Sequence, residues 1–420
     1  MKRKIVSVAG ALALLAGFAS TAHAETALQK MENVQATGTS YGPQFVDQTG
    51  PNATQIKKNL ERINLPAGFK IGLYAIVPDA RHMAIGPQGT VLWVGTRKVN
   101  VYSVADRDKD RVADEVEPFA SPLHFQVPNG ICISKDGFLF TVEANRVLVF
   151  PAAEFFWENP DVAVGEVVPQ GKLVPPDTVS YNHGARACRV GPDNKLYITL
   201  GQPYNVPPAD KLDMFHKLGI GGIIRMNRDG SGREVYTYGV RNSVGMDFNP
   251  ANGDLWFTDN QVDGMGDDIP PGELNRTTAQ GQNFGFPWYG GGHVRTNEYA
   301  DSEPPADVVF PQVEMAAHAA DLGMLFYTGK QFPEKYRGGI FNAEHGSWNR
   351  TTPVGARIMF TSLNEDGDAA STEVFASGWL DEDTGEYYGR PVDVAQLADG
   401  SLLVSDDFAG AIYRIWYDGM

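Results

Sequence analysis

Two stretches of the chain set ionisable and amide side chains where a reversal of direction holds them together. In YGVRN, Arg241 and Asn242 immediately precede a strand-turn-strand pattern, SVGMDFNPANGDLWFTDN, which ends on Asp259 and Asn260. The two ends of such a hairpin are neighbours, so a guanidinium, amides and a carboxylate meet at one place, a setting suited to a polar cofactor. Residues 259–275 that follow are dense in hard oxygen donors, among them Asp259, Asp267, Asp268 and Glu273. Such a loop suits Ca²⁺, which takes roughly six to eight oxygens in loose geometry. A second acidic run, DRDKDRVADEVE, places Asp106, Asp108, Asp110, Asp114 and Glu117 at positions 1, 3, 5, 9 and 12 of an EF-hand-type loop. Arg111 stands at position 6, where the sharp turn normally has Gly, and flanking helices are missing. The run is therefore either a structural Ca²⁺ loop between strands or a solvated charged turn.

The elements that must position these groups recur along the chain. An apolar strand leads through a Gly/Asp/Asn turn into a second apolar strand at 82–98, 129–145, 184–201, 243–260, 322–346 and 391–407. Further strands often follow, as in KVNVYSV and RVLVFPA, and GFKIGLYAIV near the start matches GAIYRIWYDG at the end. Repetition at this spacing predicts an all-β fold, a six-bladed β-propeller with four-stranded blades over residues 65–420, its N- and C-terminal strands joined in one blade. The stretches at 153–182 and 261–317 are expected to be long inter-strand loops, and residues 25–64 an N-terminal extension without regular pattern draped on the body.

In a propeller, residues just before each first strand and just after each second strand share one axial face. That rule gathers Arg81, His82, Arg97, Asn129, Glu143, Asn182, His183, Gln202, Arg241, Asn242, Asp259, Asn260, Asp321, Glu344, His345, Arg390, Asp406 and Asp407 into a ring. Some members are expected to cap strands or pair with one another, Arg97 with Glu143 for example, but the ring as a whole predicts a ligand site at one mouth of the channel.

Composition narrows the partners. A formal charge of −16 argues against nucleic acid and anionic membranes as partners, so an anionic ligand needs a local cluster of Arg or Lys. Residues 1–24 combine Lys2, Arg3 and Lys4, an apolar run and the small-residue site Ala22-His23-Ala24. They read as a signal peptide cleaved after Ala24, which places the mature protein in the periplasm or outside the cell, with no membrane insertion. Cys132 and Cys188 are the only cysteines; they permit no CxxCH haem site, and form either a disulfide or two buried thiols.

The combination YNHGARACRVGPDNKLYITLG, YGVRNSVGMDFNPANGDLWFTDN, GDDIPPGELN with QNFGFPW, AEHGSWNR and GRPVDVA resembles the glucose/sorbosone dehydrogenase family of soluble pyrroloquinoline quinone (PQQ) enzymes, its sorbosone dehydrogenase-like branch in particular, from about Leu65 to Trp416. The resemblance implies PQQ and Ca²⁺ as cofactors, a small-molecule sugar or aldehyde as substrate, and a separate electron acceptor such as a quinone, cytochrome or dye. It implies that His183 is the general base, for which an imidazole titrating near neutral pH is suited. It implies that Arg241 and Asn242 contact the quinone carbonyls, and that Arg390 and Arg350 hold the cofactor's carboxylates. His345 or Arg350 replaces a family Lys at the AEHGSWNR position, and Asn260 belongs to the cofactor wall. The loop bearing Asp259, Asp267, Asp268 and Glu273 matches the one that holds the cofactor-linked Ca²⁺, although Asp267 and Asp268 serve equally as acceptors that stabilise the loop. The aromatic segment 284–289 is either a sugar-stacking lid or blade-edge packing. Two further functions are open on the residues alone: a Ca²⁺-dependent propeller lactonase, which needs carboxylates and little Arg, and a non-catalytic binding propeller.

Overall fold

The computed structural model describes residues 34–38, 44–159 and 161–419. The expected signal peptide at 1–24 lies outside the described residues.

Six small sheets, antiparallel except for one parallel edge pairing in the third, follow one another along the chain. Their innermost strands are Met83–Ile85, Gly130–Ile133, Cys188–Val190, Met246–Phe248, Asp321–Phe326 and Pro391–Gln396. Each touches the next, and the last touches the first, so the sheets close into a six-bladed propeller. All six hairpins read from the sequence are the first two strands of a blade. Their turns show why they were legible: Gly89, Gly137, Asn194, Gly253 and Gly400 have φ of 70°, 84°, 61°, 81° and 86°. That left-handed conformation costs Gly and Asn least.

The blades hold together because a strand points alternate side chains to its two faces, and both faces are covered by neighbouring blades. In Leu92–Val94, Leu92 joins the apolar cluster shared with the last blade, whereas Trp93 joins the one shared with the second. Equivalent clusters fill the remaining seams, for example Trp256 with Met324 and Ile340, and Phe341 with Val404 and Tyr413. The ring is closed by Phe69–Ile76, which pairs antiparallel with Ala411–Tyr417 in register Phe69↔Tyr417. The disulfide Cys132–Cys188 joins the innermost strands of the second and third blades.

Three expectations change. Residues 153–182 are not one loop, because Ala163–Val168 is the fourth strand of the second blade. Likewise 261–317 contains Gly272–Thr277 and Val313–Met315, the third and fourth strands of the fourth blade. The N-terminal extension is also structured: Val34–Ala36 adds an edge strand to the second blade, and Pro51–Leu60 is a helix. The helix starts on Pro51, ends with Lys57 and Lys58, and buries Ala53 and Ile56 against the seam between the last two blades. A helix this short owes its stability to that docking, which a sequence pattern does not display. The four-strand plan accordingly gains an edge strand in the second blade and another, Gln282–Asn283, in the third.

Candidate functional site

The hairpin rule places the first-strand starts and second-strand ends at one mouth of the channel, and a cavity of about 530 Å³ lies there. From the expected ring, Arg81, Arg97, Asn182, His183, Arg241, Asn242, Asn260 and His345 line it. His318, Trp348, Asn349 and Asp263 complete the wall from loops between strands. Asp263 is the one carboxylate among the lining residues, so the wall is predominantly cationic and amide.

The His183 ring is held by the backbone of Gln202. Its Nδ1 lies 2.6 Å from the Gln202 carbonyl oxygen, which can only accept, so Nδ1 carries the ring proton and Nε2 keeps its lone pair. Burial, then the nearby Arg241 charge, lowers its pKa from 6.5 to about 4, so the imidazole is neutral at pH 7. The buried Arg186 fixes this segment by donating to the carbonyls of Ala144, His183 and Gly201. Gly201 must lack a Cβ, since one would stand 2.3 Å from Asn242 Oδ1 and 2.8 Å from the His183 carbonyl oxygen.

Arg241 reaches the cavity with its charge already paired. It donates from Nε to the Asn205 carbonyl, and through its other nitrogens to the Asn260 carbonyl, to Asn205 Oδ1 and to Asp263 Oδ2, the last at 2.9 Å. Arg97 is different: its guanidinium donates to the Tyr181 carbonyl at 3.1 Å and has no carboxylate partner among the described residues. The expected Arg97–Glu143 pair does not form, because Glu143 binds Arg146 at 2.6 Å. Arg81 pairs with Asp407 and also donates to Asn129 Oδ1. His345 Nε2 lies 2.8 Å from the same Asp407. Burial disfavours the Asp407 charge, but His345 and Arg81 outweigh it and hold the carboxyl well below the usual range.

Two arginines expected in the cofactor wall do not reach the cavity. Arg390 donates to the carbonyls of His345 and Gly346 and lies over the Tyr387 ring, so it braces the segment that carries His345. Arg350 donates to the carbonyls of Asp267 and Ala317 and pairs with Asp268 at 3.2 Å, which clamps one loop to another.

The four carboxylates read as ligands of the cofactor-linked Ca²⁺ do not converge on one point but fall into two pairs, Asp259 with Glu273 and Asp267 with Asp268. Asp259 accepts from the Arg241 and Asn242 amides at 2.9 and 2.7 Å. It thereby fixes the start of the inner strand, and burial raises its pKa to about 6. Glu273, its cross-strand neighbour, accepts from the Gly292 amide and from Asn275, and is pushed up to about 8 by burial and then by Asp259. Asp267 accepts from the Thr351 amide, and Asp268 is exposed beside Arg350. Among the described residues, the metal-compatible convergence of three acidic or ligating groups is instead Asp106, Asp108 and Asp114. Asp110 accepts from the Val112 amide, and Glu117 lies on the strand Glu115–Phe119, so neither belongs to that group.

Sequence reasoning missed Arg186, His318 and Asp263. His318 lies in an irregular segment with φ of 63°, its Nε2 2.8 Å from the Gly266 carbonyl oxygen, and no strand pattern marks it. Arg97 belonged to the ring, yet nothing in the sequence distinguished it from Arg241 as the lining arginine without a carboxylate partner among the described residues.

A closed propeller with an axial cavity lined by guanidinium, imidazole and amide groups has the form of a small-molecule site. The chain belongs to the glucose/sorbosone dehydrogenase family, whose sequence profile matches residues 173–414. It is 38% identical over 248 residues to an uncharacterized protein of Borreliella burgdorferi, covering 58% of this chain and 63% of that one. It is 24% identical over 242 residues to the aldose sugar dehydrogenase YliI of Escherichia coli, covering 52% of this chain and 56% of the relative. The aligned segment thus spans less than two thirds of these relatives' own lengths. In fold it is similar to the Trichoderma reesei carbohydrate-active enzyme of family AA12, with a TM-score of 0.69 and 21% identity over 85% of this chain and 98% of that chain. It is also similar to the PQQ domain of pyranose dehydrogenase from Coprinopsis cinerea, with a TM-score of 0.65 and 17% identity over 84% of this chain and 97% of that chain.

Proposed function

We propose that the protein is an exported, PQQ- and Ca²⁺-dependent dehydrogenase that oxidises a sugar or a related alcohol or aldehyde and passes the electrons to a separate acceptor. The observation that carries this reading is the neutral His183 in a cavity walled by guanidinium and amide groups. The family and the names of the relatives support the reaction class, and the Cys132–Cys188 disulfide supports an oxidising compartment.

The donor set fits the cofactor pair. Arg97 offers a guanidinium with no carboxylate partner among the described residues, as an anionic polycarboxylate requires. Asn242 and Asn349 line the same cavity, and each carries a buried Oδ1 without a hydrogen-bond partner among the described residues, an acceptor that suits a hard cation or a donor on the ligand. PQQ, when bound, supplies a quinone that takes up hydride. His183 Nε2 accepts the proton of the substrate hydroxyl, and the Gln202 carbonyl holds the ring in the tautomer that leaves this nitrogen free. Arg241 and Asn242, whose backbone N–H groups both donate hydrogen bonds to the Asp259 carboxylate, keep their places on the wall with no reorganisation on binding. The exposed indole of Trp348 at the rim offers an apolar face to a sugar ring.

Reconstitution tests the reading. Protein supplied with PQQ and Ca²⁺ is expected to reduce an artificial dye with members of a panel of aldoses and aldehydes. Failure both to bind PQQ and to reduce dye removes it. Arg97→Met is expected to weaken PQQ binding by ~10- to 100-fold, the loss of a charge-assisted contact worth ~1.5–3 kcal/mol. Titration followed by absorbance checks this, and unchanged affinity would take Arg97 out of the cofactor site.

A further inference from the structure

The loop joining Val101–Ala105 to Glu115–Phe119 lies at the end of the first blade opposite the cavity, because each antiparallel strand reverses the direction of its predecessor. One carboxylate oxygen from each of Asp106, Asp108 and Asp114 lies within 4.8 Å of the others. Each of these side chains uses an oxygen to accept a loop amide: Asp106 Oδ2 from Arg111, Asp108 Oδ1 from Asp110, and Asp114 Oδ2 from Arg107. Three carboxylates brought together without a cation repel one another.

The independent sign of a ligand is Asp106. Its side chain is 8% exposed, yet its Oδ1 has no hydrogen-bond partner in the structure. A buried, unsatisfied carboxylate oxygen is costly unless something meets it. Arg111 does not: its guanidinium stays 4.0 Å from the other oxygen and pairs at 3.0 Å with Asp399 of the closing blade. Arg111 also answers the objection raised by its position in the sequence. Its φ is 77°, so it makes the left-handed turn that Gly makes in Ca²⁺ loops.

We propose that the loop 106–114 binds one Ca²⁺ through Asp106, Asp108 and Asp114, and that the ion fastens the first blade to the closing blade. The loop already reaches across that seam, since the Ala113 amide donates to the Tyr74 carbonyl at 2.7 Å and Arg111 pairs with Asp399. A bound cation orders the loop from which both contacts project. This site is separate from the cofactor cavity and needs no quinone, so it stands or falls independently of the dehydrogenase reading.

Chelator-treated full-length protein, free of PQQ, is titrated with CaCl₂ and its thermal midpoint and calorimetric binding are followed. The wild type is expected to bind Ca²⁺ with Kd of ~10⁻⁴–10⁻³ M, the range of extracellular modules, and to unfold at higher temperature when saturated. Asp106→Asn and the exposed Asp108→Asn are each expected to weaken this binding at least ~10-fold, because each removes one of few ligand charges. Both should also abolish the Ca²⁺-dependent rise in midpoint. A wild type without a Ca²⁺-dependent rise overturns the proposal, as do variants that keep the same rise. Asp108→Asn alters an exposed side chain, so the test holds even where Asp106→Asn fails to fold.

Discussion

Replacing His183 by Ala is expected to lower kcat/KM by ~10²- to 10⁴-fold while PQQ still binds, the loss typical of removing a positioned general base. The residue is singled out by its hydrogen bonding. The Gln202 carbonyl takes up Nδ1, and burial with Arg241 and Arg186 nearby keeps the ring unprotonated. Its acid limb should therefore lie near pH 4, not near the 6.5 of a free histidine. Above that limb Nε2 accepts a proton; below it the imidazolium cannot. The sign for stability agrees. The folded-state pKa is below the unfolded one, so the unfolded chain binds more protons between 6.5 and about 4, and stability falls as the pH drops through that window. Rates and PQQ titrations of wild type and His183→Ala from pH 3.5 to 8 check both parts. Wild-type-like turnover in the variant would remove His183 from the mechanism.

Removing the disulfide should produce the largest change in stability. Cys132 and Cys188 are both buried, and 56 residues separate them. In the chain-entropy treatment, a crosslink over that separation contributes about 4 kcal/mol by restricting the unfolded chain. Innermost strands of adjacent blades meet through side chains and not through a shared hydrogen-bond ladder. This bond is the covalent tie across one such seam. The double variant Cys132→Ala/Cys188→Ala is expected to unfold at markedly lower denaturant concentration, and reductant should shift the wild type the same way. Turnover at 25 °C should persist, because both residues are buried in the apolar seam between the second and third blades and neither lines the cavity. Coincident unfolding curves for variant and wild type would contradict this expectation.

The parts of the molecule that the sequence displays are those governed by local rules. Five of the six hairpins are visible because their turns use Gly or Asn in a left-handed conformation between apolar strands, and the ring of polar starts follows from antiparallel pairing alone. What a side chain bonds to is set by distant loops. Asp259, Asp267, Asp268 and Glu273 look like a cation cage because they crowd one stretch, yet they fall into two pairs in which backbone amides or neighbouring side chains already engage each carboxylate. Arg241 and Arg97 look equivalent until Asp263 and Asn205 arrive to engage the first. Arg186 leaves no mark at all, since its partners are carbonyl oxygens, which every residue carries.

The pairing of Phe69–Ile76 with Ala411–Tyr417 has a consequence for how the chain reaches this state. Contacts there, such as Lys70 with Asp418, link residues 348 apart in sequence. Every other blade is assembled largely from strands that follow one another, so five can form from short-range hairpins as soon as their residues are present. The last must wait for the final strand to find the first, and contacts of such long range form slowly. Until then the seam lined by Tyr74, Leu92 and Ile412 is open to water and to other molecules. Ring closure is thus the step at which aggregation competes with folding, and a cation that steadies the first blade's loop against Asp399 and Tyr74 would act where the ring closes last.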